Sequence, residues 1–233
     1  MATATTLSIV MPVLNEAAGI EAALKALQRF RARGVEIVVA DGESSDGTAD
    51  IARGYADRVV GAPRGRALQM NAGAAAASGD VLIFLHADTL LPADADRRVM
   101  EGLARSGCIW GRFDVRFDSG GLLGLVAAAM NARSRLTGIA TGDQAMFVTR
   151  AAFDEAGGFP PIALMEDIAL SVKLKRLGRP LCVSARVTTS GRRWRERGTL
   201  RTVLLMWRLR LAYFCGADPA NLARAYGYGV DGT

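Results

Sequence analysis

The sequence predicts an α/β fold: a mixed, mainly parallel sheet covered by helices, with further helices at the C-terminal end. Three observations carry this expectation. Short apolar runs recur through the first 90 residues. Most are followed by a segment of about 10–15 residues with apolar side chains at helical spacing, the alternation of a helix-covered parallel sheet. Polar residues then collect just past the ends of these runs, where open α/β sheets bind ligands.

Taken in order, residues 8–13 (SIVMPV) read as a buried strand. Residues 16–31 follow as a helix with Ile20, Leu24, Leu27 and Phe30 on one face. Residues 36–41 (EIVVAD) form a second strand, then a turn and a helix around 48–55. A short third strand at 58–62 precedes an Ala-rich helix over 65–78 and a fourth strand over 81–87 (VLIFLHA). The second half is less regular. Residues 108–117 alternate as a strand, 122–136 form a helix, and 145–149 form another strand. Residues 168–177 are helical behind the acidic pair Glu166 and Asp167, and 181–188 are a strand. Residues 199–215 are a helix both basic and apolar, and a short segment after Pro219 closes the chain. No Pro/Gly/Ser-rich linker divides the sequence, so residues 1–233 read as a single domain with lobes at 1–115, 116–190 and 191–233.

Composition narrows the function. Half of the residues are apolar and the net charge is +6, with much of the excess Arg in the last quarter. Aromatic content is only 6% without a stacking pattern, so nucleic acid is not the expected partner. Three scattered cysteines without a C-x-x-C pair suit reduced thiols. The first residues lack a basic signal-peptide region, and the longest nearly charge-free stretch, 120–132, is too short to span a bilayer. The expected location is therefore cytoplasmic. The 199–215 helix either lies on the inner membrane face or packs in the fold or in a homodimer.

The candidate site gathers at strand ends. Asn15, Asp41 and Asp88 each follow an apolar run, and neither G-x-G-x-x-G nor a P-loop is present. A carboxylate at the place of Asp41 can accept a base N–H or hold a ribose hydroxyl. Asp88 ends a strongly apolar strand, where a single carboxylate near a diphosphate can hold Mg²⁺ or Mn²⁺. Asp46, in SSDGT, serves a turn equally well. Arg64 and Arg66 open a helix, where an anion would balance their charge. Glu166 and Asp167 suit either an acidic helix N-terminus or a catalytic base.

SIVMPVLNE, VVADGESSDGT and GRALQMNAGAAAASGDVLIFLHADT, followed by TGDQAMFVTR, GGFP and MEDIAL, resemble the family 2 glycosyltransferases in order and spacing. The resemblance is nearest to a short bacterial subgroup found beside radical-SAM and selenium- or arsenosugar-biosynthesis genes. It implies the GT-A fold and inverting sugar transfer from a nucleotide-sugar, UDP-linked, with residues 1–115 binding donor, 116–190 facing acceptor and 191–233 forming a helical appendage. It also implies that Pro12, Asn15, Glu16 and Asp41 border the nucleotide, joined by Arg66. His86, Ala87 and Asp88 take the place of the family's Asp-x-Asp, with Asp88 the metal ligand and His86 a second ligand or a ribose contact. Asp143 belongs to an acceptor-side loop, and Asp167, beside Glu166, matches the general base. Ser190–Trp194 is similar to the Gln-x-x-Arg-Trp motif of processive synthases at Arg193 and Trp194, but Ser190 replaces Gln. Single transfer to a small or lipid-linked acceptor is the expectation. The competing classes are a nucleotidyltransferase, which would carry a Lys-containing Gly-rich loop where PVLNEAAG stands, and a non-catalytic nucleotide-sugar binder, which needs no base.

Overall fold

The computed structural model describes residues 5–227. Eight strands form one sheet in the order β3-β2-β1-β4-β7-β6-β8-β5. The first half is the alternating unit the sequence predicts: β1 (Leu7–Val13), α1 (Ala17–Arg31), β2 (Glu36–Asp41), α2 (Thr48–Arg53), β3 (Arg58–Gly61), α3 (Arg66–Ala76) and β4 (Val81–Phe84). β1, β2, β3 and β4 run parallel, with Val13 opposite Asp41 and Val10 opposite Phe84. Their C-terminal ends therefore share one rim.

Helices on both faces explain why the central strands are apolar throughout. Leu7, Ile9, Met11 and Val13 of β1 face the layer that holds α1, while Val10 faces α3. Ile20, Leu24, Leu27 and Phe30 of α1 are buried on the first side, each contributing about 1.5–3 kcal/mol of transfer energy before entropy is charged. On the other side α3 lies so close that a Cβ at Gly73 would collide with the Val10 side chain. Asn71 fixes this layer to the second half: its amide donates to Phe159 O at 2.8 Å and its Oδ1 accepts from Phe159 N at 3.0 Å.

The second half extends the same sheet. β5 (Thr89–Leu90), α4 (Ala95–Ser106), β6 (Trp110–Phe117) and α5 (Leu122–Thr137) lead to a 3₁₀ turn at Gly142–Gln144. β7 (Phe147–Thr149), α6 (Arg150–Glu155), α7 (Glu166–Leu177) and β8 (Leu181–Thr189) follow, and α8 (Arg192–Arg197), α9 (Thr199–Phe214) and α10 (Pro219–Tyr226) end the described chain. β7 enters antiparallel between β4 and β6, whereas β6 and β8 are parallel. Buried Arg112 and Asp114 on β6 pair with each other, and Arg135 of α5 closes on Asp114 at 2.6 Å.

Three differences from the sequence expectation matter. The strand expected over 81–87 stops at Phe84, because the chain turns at His86: Thr89 N–H donates to His86 O at 3.1 Å. α4 is not anticipated, although Ala95, Val99 and Leu103 bury one face of it. α7 begins at Glu166 rather than Ile168, which puts the acidic pair inside the first helical turn.

Candidate active site

The rim begins with a clamp between two turns. Asn15, in the left-handed region at φ 52, donates its N–H to Ser44 Oγ and accepts from Ser45 N through Oδ1, both at 2.9 Å. Asp46 accepts from Ala17 N and from Thr48, so it is a turn and cap residue. Below this clamp, Asp41 is buried. Its Oδ2 accepts from Ser44 N at 3.0 Å, while Oδ1 is buried without a partner. Gln69 of α3 holds the ends of β1 and β2 together by donating to Val13 O and Ala40 O.

Past β4 the chain presents His86, Ala87 and Asp88. His86 Nδ1 lies 3.8 Å from Asp143 Oδ1. Burial pushes the imidazole below its ordinary range and Arg66 pushes the same way, against the pull of Asp143, Asp88 and Asp167, and the net shift favours the neutral ring. Asp143 moves upward, from loss of bulk water and from the Asp88 and Asp167 charges, although its side chain keeps 38% of its surface open. A Cβ at Gly142 would collide with the His86 ring, so any larger residue there must push the ring aside.

The acidic pair divides its roles. Glu166 is buried and ion-paired with Arg66 at 3.3 Å. Burial raises its pKa and Asp167 adds to the rise, while Arg66 opposes. Asp167 is half-buried; its Oδ2 accepts from Gly142 N at 2.8 Å and its Oδ1 from Ile168 N at 2.7 Å. The preceding Met165 has φ 71, a strained conformation for such a side chain. It is held by packing against Leu209 of α9 and Leu222 of α10. The C-terminal helices thus brace the segment that carries Asp167.

These elements surround a cavity of about 1080 Å³. One wall carries Pro12, Asn15, Glu16, Arg66, His86, Ala87, Asp88 and Asp143, and Trp194 joins from α8, its ring 5.5 Å from Phe117. The opposite wall is apolar and comes from α5 and α9. Of the residues expected from the sequence, Asp41 and Glu166 stand behind this wall rather than in it. Asp167 occupies a narrow recess beside His86 and Gly142. Arg192 lines the cavity, while the side chain of Arg193 lies outside the described residues. Sequence reasoning missed Gln69, Arg133, Arg210 and Tyr213. Arg133 and Arg210 line the cavity. Burial and the Asp167 charge raise the Tyr213 phenol, and its ring packs against the cluster that holds Met165. Gln69 lies within the GRALQMNAG stretch without being singled out there, and the other three stand in no local pattern that marks them.

The strand order and the helix layers are those of the GT-A fold. TarS from S. aureus, in complex with UDP, superposes with a TM-score of 0.67 at 17% identity, over 95% of this chain and 69% of that one. Mannosyltransferase PcManGT from Pyrobaculum calidifontis, in complex with GDP-Man and Mn²⁺, gives 0.66 at 21% identity, over 97% and 70%. The family is narrower than the fold: glycosyl transferase family 2 matches residues 8–156, and the chain belongs to it. The probable glycosyltransferase YdaM of Bacillus subtilis (strain 168) is 27% identical over an alignment of 196 positions that covers 73% of this chain. The chain spans about half the length of that relative, 47% of it being matched.

Proposed function

We propose that this chain transfers a single sugar, with inversion, from a nucleoside diphosphate sugar (a UDP-sugar) to a small or lipid-linked acceptor, assisted by Mn²⁺ or Mg²⁺. The observation that carries the reading is the unpartnered Oδ1 of Asp41, buried at the end of β2 beneath the Asn15 turn. A buried acceptor left unmet costs about 1–3 kcal/mol. The imide N–H of uracil is a donor of the right kind to meet it once the base displaces the Asn15–Ser44 turn that covers Asp41, because Asp41 itself stands behind the cavity wall. UDP in TarS and GDP-Man in PcManGT support a nucleoside diphosphate donor.

The site chemistry follows from the residues. Pro12, Asn15 and Glu16 border the nucleoside, and Arg66 faces the same cavity from the α3 N-terminus. Among the described residues no group of three His, Cys, Asp or Glu side chains is placed to hold a metal alone. Asp88 and a neutral His86 fit a cation that takes its other ligands from diphosphate and water. When bound, such a cation neutralises charge on the departing diphosphate. Asp167 takes the proton of the acceptor hydroxyl as its oxygen bonds to the anomeric carbon. The carbon–oxygen bond to the diphosphate breaks on the opposite face, and its electron pair leaves with the nucleoside diphosphate. One displacement inverts the centre, so no nucleophilic Ser or Cys is required. Arg193 and Trp194 join the donor-binding residues, Arg193 read as a partner of the diphosphate and Trp194 as facing the acceptor, and α9 is the segment that would meet a membrane surface.

A binding screen of nucleotide-sugars with and without Mn²⁺, followed by nucleoside diphosphate release, tests the reading. Donor binding that strengthens with Mn²⁺ supports it, and absence of binding by any nucleotide-sugar overturns it. Pyrophosphate release from a nucleoside triphosphate would point instead to a nucleotidyltransferase.

A further inference from the structure

The apolar wall of the cavity has a composition that donor binding does not require. Leu122, Leu125 and Met130 of α5 and Val203, Trp207 and Leu211 of α9 line it together. Several remain open to solvent, Leu125 at 69% and Trp207 at 72%. Large apolar side chains grouped at a cavity mouth are a binding feature rather than scattered exposure. Two guanidinium groups interrupt this apolar surface. Arg133 of α5 has Nε and Nη2 buried with no hydrogen-bond partner, and Arg210 of α9 has Nε in the same state.

Unmet buried donors on a permanently charged group call for an anion. Burial pulls the Arg133 guanidinium down from its ordinary range, and the Arg112 charge adds to that. Asp167 opposes this shift, and Arg133 lines the same cavity as His86, Asp88 and Asp143. An anion held by Arg133 would sit between the apolar wall and the reacting end of the cavity. The other face of α9 is already occupied, since Leu205, Leu209 and Ala212 pack around the Met165 segment and α10. Leu200, Trp207 and Leu211 line the cavity, while Leu204 and Phe214 are exposed outside it.

We infer that the α5–α9 cavity is the acceptor site and takes an anionic amphiphile, its hydrocarbon chain between the two helices and its charged headgroup on Arg133 and Arg210. This rests on the glycosyl-transfer reading for what happens to the headgroup, but the binding itself does not.

Isothermal titration of the full chain with alkyl phosphates below their critical micelle concentrations tests it, with UDP plus Mn²⁺ titrated separately. The expected result is one-to-one binding of decyl phosphate, with affinity rising about two- to fourfold per methylene from the hexyl compound. Arg133→Gln should lose about tenfold or more, as expected for a hydrogen bond to a charged group. Arg133→Lys should recover part of the loss. Leu125→Asp, at an exposed position outside the core, should weaken the decyl compound most and inorganic phosphate least. Decyl maltoside binding as tightly as decyl phosphate would overturn the anionic head, and inorganic phosphate binding as tightly would overturn the chain site. Binding to anionic vesicles alone, or a concentration-dependent dimer that blocks decyl phosphate, would assign the wall to a membrane surface or to a second copy instead. UDP binding without decyl phosphate binding sinks this inference and spares the donor reading. The reverse pattern sinks the donor reading and spares the amphiphile site.

Discussion

Replacing Asp41 by Asn changes one atom at the place where the donor reading is most exposed. The amide oxygen can keep the bond from Ser44 N–H, which turns the NH₂ group toward the buried, unpartnered position of Oδ1. A donor then stands where an acceptor stood. Uracil presents its own N–H there, so a charge-assisted hydrogen bond worth about 1.5–3 kcal/mol is lost, which corresponds to roughly 10- to 150-fold weaker UDP binding. Cytosine presents a ring nitrogen acceptor at the same edge, so CDP should gain relative to UDP. The free protein should be little affected or slightly more stable, because the substitution removes a buried charge with an unmet oxygen. Calorimetric titration with UDP and CDP, alongside thermal unfolding of the ligand-free protein, measures all three quantities. Unchanged UDP affinity and an unchanged UDP/CDP ratio in Asp41→Asn would refute the reasoning.

The remaining predictions concern the reacting end and the scaffold. Asp167→Asn should lower kcat by about 10²- to 10⁴-fold while UDP affinity stays within about twofold of wild type, read by nucleoside diphosphate release. His86→Ala should weaken donor binding about tenfold, whereas Asp88→Ala should abolish turnover and its dependence on Mn²⁺; equal losses in both variants would make His86 a ligand of the same rank. Gly142→Ala should disturb donor binding much as His86→Ala does, because the added methyl displaces the ring. Asp114 experiences an upward push from burial, but Arg135 and Arg112 outweigh it and hold the folded pKa below the ordinary carboxylate range. Its stabilisation is therefore present above the unfolded pKa of about 3.9 and is lost as pH falls through the folded value. Asp114→Asn should lose up to about 3–5 kcal/mol at pH 7, since buried Arg112 loses its counter-charge, and should unfold with a shallower acid dependence, measured by urea denaturation at pH 7 and below pH 4.

Much of the first half is legible because local pattern and tertiary role coincide there. β2 has the bounds its apolar run suggests, and α1 differs by one residue, because Ile20, Leu24, Leu27 and Phe30 mark a face that the sheet then buries. The strand at 81–87 is overextended for a physical reason: Leu85 still pairs with Val10, but the turn at His86 ends the ladder in a stretch that remains apolar in sequence. Strand order after β4 is not readable, since antiparallel β7 joins parallel neighbours through contacts with no local signature. The candidate site shows the same division. Asp41, His86 and Asp88 stand out at the ends of apolar runs. The link from Asp167 to Gly142 spans 25 residues and exists only in the folded chain. Arg133 and Arg210 look like ordinary basic residues on helices until α5 and α9 close over them.

The most direct test of the account is nucleoside diphosphate release from UDP-sugars with Mn²⁺ and a decyl-chain acceptor that carries a phosphate and a free hydroxyl, assayed with wild type and with the Asp88→Ala and Asp167→Asn variants. The account predicts acceptor-dependent release of UDP and a product of inverted anomeric configuration, both lost in the two variants. Release of equal extent in wild type and in both variants, or a product that retains configuration, would contradict it.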